Sequence, residues 1–317
     1  TGVTMPNHVN KTLTSNSYWT TNLFSTYDFN LGKKNNLTWL VGMQLEKGLD
    51  AMLTGYKTDM ISSDLPSLQV STGPAIVTDS LPQRATAGYF SRLSYNHDEK
   101  YLVEVNARYD GSYVFRKTKR WGFFPSFSLG WNLHNEPFWK NIGDHITAFK
   151  IRGSWGQLGN QQVAPYSDIE LIPLQTGKLN WVFDYGQPRR IGYTSAPGII
   201  NRNLTWETAT TKNIGANLAF LKNRLQLDFD AFERLTTNMI GPAPAKPGVL
   251  GAGVPNDNNA TLRTRGWEVA VRWQQGFNNG LSYFVNFNLS DTKSVVTKYF
   301  NPTGTLSNWY EGRTVGE

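Results

Sequence analysis

Asp228 and Asp230 are the first residues here that chemistry would choose. They stand two apart in an alternating run, so they share a face, and paired carboxylates on one face are what hydrolysis of a glycosidic bond uses as acid and base. The same alternation offers a plainer origin, a polar wall on which acids fall next to one another, and the rest of the chain favours it. The histidines at 8, 97, 134 and 145 are scattered over turns and loops, without the H-E-x-x-H spacing that puts two imidazoles on one metal. Ser154, inside Gly153-Ser154-Trp155-Gly156, lacks the spacing of a nucleophile elbow. With no cysteine there is no disulfide, zinc knuckle or thiol nucleophile. Asp257 within the polar run Asn256 to Asn259 is a thin candidate for calcium at a loop tip beside Gly251 and Gly253. The expectation is a protein that is not an enzyme, with no cofactor and no metal site, and whose chemistry is non-covalent.

The remaining charged candidates are Arg92, Glu104, Arg108, Arg152, Glu268 and Arg272, each on the polar side of an alternating segment. Period-two patterning runs through 17–29, 36–47, 85–97, 100–109, 123–133, 147–156, 211–221, 224–234, 263–275 and 281–292. Each segment is near the roughly 9–11 residues a tilted strand needs to cross a bilayer. One face holds rows such as Leu37, Trp39, Val41, Met43 and Leu45, or Leu281, Tyr283, Val285, Phe287 and Leu289. The other holds Thr38, Gln44 and Glu46, or Ser282, Asn286, Asn288 and Ser290. One face suits hydrocarbon and the other water.

Composition agrees. Hydrophobic residues are 39% and charged residues only 17%, so neutral polar side chains carry much of the polarity. Eleven Trp, 14 Tyr and 17 Phe suit aromatic girdles at two membrane interfaces. No apolar run approaches the roughly 18 residues of a membrane helix, so a membrane role must use strands. The net charge of +7 is dispersed over turns and loops such as Lys33-Lys34 and Lys117 to Arg120, which argues against a nucleic-acid surface and for solvent and anionic headgroups. Connections alternate in length: short at 32–35, 98–99, 222–223 and 276–280, long at 48–84, 157–210 and 235–262. Short turns at one end and long loops at the other are the pattern of outer-membrane barrels, with the long loops outside the cell. Tyr101, Trp131, Trp273 and Tyr283 fall toward the turn side, and Tyr109, Trp155 and Trp267 toward the loop side. The fold class expected is an all-β transmembrane antiparallel barrel. With no signal peptide pattern in TGVTMPNHVNKTL and loop-like sequence after Lys293, residues 1–317 are expected to be one part of a single, larger barrel domain.

Six strings, in order, then carry a family resemblance: WTTNLFSTYDFNLGKKNNLTWLVGMQLEK from Trp19, YFSRLSYNHDEKYLVEVNARYDGS from Tyr89, RWGFFPSFSLGWNLHNEPFW from Arg120, FKIRGSWGQLGNQ from Phe149, the run NRNLTWETATTKNIGANLAFLKNRLQLDFDAFERLTTNMI from Asn201, and RTRGWEVAVRWQ from Arg263. In this the chain resembles the SusC/RagA-type TonB-dependent transporters of the Bacteroidetes. Tyr113 and Val114 stand where that family more often has small polar residues and Arg, and Phe123 replaces a more usual polar residue. The resemblance implies a barrel of about 22 strands plugged by an N-terminal domain, with the plug, the TonB box and the last strands outside this chain. It implies import of oligosaccharides or peptides across the bacterial outer membrane, energised by TonB and assisted by a SusD-like surface lipoprotein. On that reading Arg92, Glu104, Arg108, Arg152, Glu268 and Arg272 contact the lumen or plug. Trp181, Phe183, Tyr185, Trp309 and Tyr310, in long loops, contact cargo or the lid. The alternative is a non-transporting barrel that serves as a scaffold or adhesin.

Overall fold

A computed structural model describes residues 7–64, 66–143, 145–163, 167, 169–172, 174–175, 193–194, 197–241, 243, 253–302, 304, 306 and 309–315. The strands are β1 (His8–Asn30), β2 (Asn35–Thr58), β3 (Ala75–Ser80), β4 (Gln83–His97), β5 (Tyr101–Ser112), β6 (Trp121–Asn132), β7 (Ile146–Asn160), β8 (Leu174–Gln175), β9 (Tyr193–Thr194), β10 (Glu207–Phe220), β11 (Leu225–Gly241), β12 (Asp257–Gly276) and β13 (Ser282–Lys298). All but β8 and β9 form one sheet in the order β1-β2-β4-β5-β6-β7-β10-β11-β12-β13, with β3 also paired to β2. Each of the ten period-two segments is a strand of this sheet. The chain comprises two compact units, Thr1–Leu23 with Gln44–Ala87 and Phe24–Met43 with Gly88–Glu317.

The smaller unit corrects the loop expected at 48–84. There β2 continues to Thr58 and pairs with β3 from Met52↔Ser80 to Lys57↔Ala75. The Asn7 amide grips the backbone at Met60, donating to its carbonyl (3.1 Å) and accepting from its N–H (3.0 Å). Arg84 lies over Gly48 and pairs with Asp50 at 3.2 Å, a placement any Cβ at position 48 would obstruct. Alternation fails here because Gly48, Asp50, Thr54, Gly55 and Lys57 give neither face an apolar row, while backbone pairing needs none.

In the larger unit, tight turns join strands at one end. Asp98 and Glu99 take φ of 53° and 55°, the two left-handed residues that a two-residue hairpin needs. Leu221, Lys222 and Asn223 are all left-handed between β10 and β11, a turn slightly longer than the two residues expected. Lys34 reaches from the β1–β2 turn to Asp98 at 3.0 Å, and its hydrogen bond holds the Asp98 carboxyl below the usual range. The β6–β7 connection is two short 3-10 turns, Leu133–Asn135 and Pro137–Asn141, anchored by buried Trp139, whose indole donates to the Ile146 carbonyl at 3.0 Å. Pro125 sits opposite Ala107 of β5, one residue before the β6–β7 ladder opens at Ser126↔Gly156, where its missing N–H costs little. After β13 the chain doubles back on it: Val295 bridges Thr314, and Val296 donates to the Arg313 carbonyl at 2.9 Å, where sequence had suggested loop alone.

The two faces of this unit differ in kind. Val105 and Tyr109 of β5, Phe127 and Leu129 of β6, Ile151 and Trp155 of β7, Phe229 of β11, Trp267 of β12 and Val285, Phe287 and Leu289 of β13 are all exposed, Leu129 at 49% and Phe287 at 57%. A soluble monomer rarely exposes an apolar patch beyond a few hundred Å². Among the described residues only ten apolar side chains are buried, and six of them form two small clusters near the long loops, one of Phe115, Phe124 and Trp206, the other of Ala260, Val296 and Tyr299. A sheet that turns its aliphatic rows outward has been built for a solvent of hydrocarbon.

Aromatic girdles mark where that solvent ends. At the turn end Tyr101 stacks on Trp131 with centroids 6.3 Å apart, and Glu136 accepts from both, at 2.7 Å from the phenol and 3.2 Å from the indole. Those bonds, Tyr101's first, hold the Glu136 carboxyl below its ordinary range. Trp273 donates to Tyr283 at 3.2 Å at the same end. At the loop end Trp121 lies flat between Tyr109 (4.8 Å) and Tyr89 (6.1 Å), over Gly111, whose missing Cβ makes room for it.

Candidate functional site

The opposite face is polar, and register assembles its charges into rows. Arg152 of β7 is opposite Gly215 of β10, Gly215 opposite Asp230 of β11, Asp230 opposite Glu268 of β12, and Glu268 opposite Ser290 of β13. Asp230 is two strands from Arg152, roughly 10 Å at the backbone, yet the guanidinium reaches it at 2.5 Å. It can do so because position 215 has no side chain: a Cβ there would lie 2.7 Å from Asp230 Oδ1 and 2.8 Å from Arg152 Cζ. Arg152 also donates to Asn217 at 3.1 Å, and Asn217 to Asp228 at 2.5 Å. Asp228 and Asp230 are thus each bound into a hydrogen-bonded wall.

A similar arrangement recurs on β4 and β5. Arg92 donates to Asn106 (2.8 Å) and lies 3.8 Å from Glu104, which also accepts from Ser94 at 3.1 Å. Arg108 makes a two-pronged bond to Asp110, at 2.9 and 3.1 Å, and stands 5.7 Å over the Phe90 ring. Gly88 is its window, since a Cβ there would collide with Asp110. Arg272 donates to Asn286 at 3.1 Å. Four of the six charges named from sequence border two cavities on this face. One, of about 570 Å³, is lined by Glu104, Lys150 and Arg152 among others; the second, of about 810 Å³, by Arg92, Arg108, Phe124 and Arg234. Glu268 and Arg272 share the face by register with Asp230 and Gln226. The wall is polar, and Arg92, Arg108 and Arg152 are each bonded to neighbouring acids or amides, which suits passage or docking of polar groups.

At the loop end the wall acquires a feature that sequence gave no sign of. The β5–β6 loop folds onto the polar face through Phe115, 1% exposed, which meets Trp206 at 5.1 Å. Trp206 in turn meets Phe124 at 5.4 Å and donates to the Arg120 carbonyl at 3.0 Å. Gly122 and Gly159 clear space for the Phe124 ring. Of the loop aromatics expected to meet cargo or lid, Trp181, Phe183 and Tyr185 lie outside the described residues. Trp309 is half-buried against Tyr299, 6.0 Å away, and Tyr310 is exposed. Asp257 accepts from Asn201 (2.8 Å) and the Asn258 N–H (2.9 Å), tying β12 to the segment before β10.

An antiparallel sheet with hydrocarbon-facing rows outside, interfacial aromatics at both strand ends and a paired polar wall inside is that of a transmembrane β-barrel of the bacterial outer membrane. The chain belongs to the TonB dependent receptor-like, beta-barrel family, whose model matches residues 3–313. It is 27% identical over 285 residues to TonB-dependent receptor P3 of Formosa agariphila, covering 88% of this chain and 28% of that protein. Against TonB-dependent receptor SusC of Bacteroides thetaiotaomicron it is 30% identical over 210 residues, 66% of this chain and 20% of SusC. The RagAB peptide transporter structure superposes with a TM-score of 0.81 at 19% identity, over 96% of this chain and 33% of that one, a likeness of fold. The chain spans about a third or less of each of these relatives. Family members are receptors and not enzymes.

Proposed function

We propose that this chain supplies wall strands of a TonB-dependent importer that carries oligosaccharides or peptides across the outer membrane. The observation that carries the reading is the partition of the sheet: apolar rows outward, and inward a wall of paired Arg and carboxylate groups bordering cavities large enough for a sugar or peptide unit. Residues 1–317 are then one stretch of a single barrel domain, with the long loops extracellular. Arg92, Glu104, Arg108, Arg152, Glu268 and Arg272 face the lumen, where they meet cargo or a plug contributed by sequence outside this chain. TonB pulls on that plug, and a SusD-like lipoprotein closes over the loop end, where Tyr310 and the other loop aromatics receive cargo or lid. The relatives support the class: SusC is a TonB-dependent receptor, and RagAB a peptide transporter.

The test is uptake of labelled oligosaccharide and peptide mixtures by cells with and without the full gene. Loss of uptake of a defined subset on deletion, and equal loss when a protonophore collapses the proton gradient, is the expected result. Unchanged uptake in the deletion strain, together with loss of surface adhesion or of an assembled surface complex, would overturn import in favour of a scaffold.

A further inference from the structure

The outward face carries one feature that neither hydrocarbon contact nor transport explains. Above the apolar band, toward the loop end, register aligns Trp155 of β7, Lys212 of β10, Glu233 of β11, Arg265 of β12 and Lys293 of β13 directly side by side. These positions have the parity of the exposed Ile214 and Trp267, so they look outward with the apolar rows. Arg263 follows two residues nearer the loops, and Asp291 lies opposite Trp267. Four cations and two carboxylates therefore share this patch, and one carboxylate, Glu233, is already engaged by Arg265 at 2.5 Å. Lys212, Arg265 and Lys293 are exposed, and a groove of about 350 Å³ between β10, β11 and β12 is lined by Lys212, Ile214, Ala231, Glu233 and Arg265.

We infer that this patch is a binding site for the phosphate of a membrane lipid in the leaflet on the loop side. The reason is the vertical order of chemistry. Ile214, Phe229 and Trp267 present exposed apolar surface below, which acyl chains cover, and the cations follow at the level where a headgroup phosphate emerges from hydrocarbon. Two ammonium groups stand either side of the Glu233–Arg265 pair, whose guanidinium side chain is 65% exposed, and together they make the donor set that a doubly charged oxyanion selects. A soluble anion would gain the charges but not the apolar floor, so the ligand is a lipid rather than free phosphate. The site needs the barrel alone and is independent of cargo.

Full-length receptor, purified in mild detergent, would be incubated with phosphatidic acid or with diacylglycerol of the same acyl chains, and retained lipid counted by native mass spectrometry. Wild type is expected to retain phosphatidic acid and release diacylglycerol. Lys212→Gln with Lys293→Gln, which leaves the Glu233–Arg265 pair intact, should lower retention of phosphatidic acid roughly tenfold. Lys33→Gln with Lys117→Gln, which removes equal charge elsewhere, should leave it unchanged. The inference is overturned if both double variants lose lipid equally, if neither does, or if diacylglycerol is held as well as phosphatidic acid. Displacement of the lipid by millimolar inorganic phosphate would also overturn it, reducing the patch to a simple anion site.

Discussion

Glycine is used on this wall as a spacer, and its effect depends on which face the missing side chain would occupy. Gly215 faces the polar side, between Arg152 and Asp230, whose atoms stand within 2.8 Å of where its Cβ would be. Gly153 belongs to the outward row, and its nearest neighbour would be the Asn213 carbonyl at 3.9 Å. Gly215→Val should therefore push the guanidinium off its carboxylate and cost about 1–3 kcal/mol, whereas Gly153→Ala should be close to neutral. Denaturant unfolding of the full-length receptor in detergent measures both, and equal costs would show that the window has no role. Phe115 sets a second residue-scale expectation. Sealed beneath Trp206 and Phe124, it pins a loop that contains Arg116, Lys117, Lys119 and Arg120. Phe115→Ala should cost up to about 3–5 kcal/mol and loosen the backbone that carries those cations, so limited trypsin proteolysis should cut the variant at 116–120 while wild type resists.

At the scale of the elements, turns at one end are tied to each other as well as to their strands. The Lys34–Asp98 bridge joins the β1–β2 turn to the β4–β5 turn. Because the bridge depresses the Asp98 pKa, its contribution is present above the ordinary aspartate range, near 3.9, and is lost as pH falls through the lower native value. The pair is exposed and the effect small. Asp98→Asn keeps a side chain that tolerates the left-handed backbone; it should lower stability slightly and evenly between pH 6 and 8, roughly two or more units above that range, and flatten the acid limb, since the bridge is already lost there in wild type; an unchanged acid limb would count against the bridge. How the elements were legible follows from the same physics. Period-two alternation records the bilayer, so it found all ten strands where they cross hydrocarbon and lost them where they leave it. It therefore placed the end of β2 at Lys47 although the strand runs to Thr58, and missed β3, whose Ala75–Ser80 run is exposed on both faces. The polar-face charges were readable because alternation assigns a side. Their partners were not, since Arg152 with Asp230, and Phe115 with Trp206, are joined by register and by a folded loop across long stretches of sequence.

For the molecule as a whole, the stability of the sheet depends on which solvent meets each face. The larger unit buries few apolar residues among those described, so its protein core alone could not offset the entropy of ordering so many residues. The exposed rows led by Val105, Phe127, Ile151 and Phe287 must complete their burial in lipid, and the polar wall must keep water or a polar occupant. Adjacent residues of β6 separate these requirements. Leu129 is 49% exposed in the outward row, opposite Val103 and Gly153, while its neighbour Ser128 lines both polar cavities. Leu129→Arg should cost up to about 2–4 kcal/mol in a bilayer, the penalty of a guanidinium on the lipid face, reduced by the nearness of the interface that Trp131 marks two residues on. Ser128→Arg places the same group among Glu104, Ser154 and water, and should cost far less. Reversible unfolding of the full-length protein in lipid vesicles compares the two directly. Comparable penalties, or a larger one at Ser128, would mean that hydrocarbon does not meet the Leu129 row, and the assignment of faces on which transport, lid and lipid site all depend would have to be reversed.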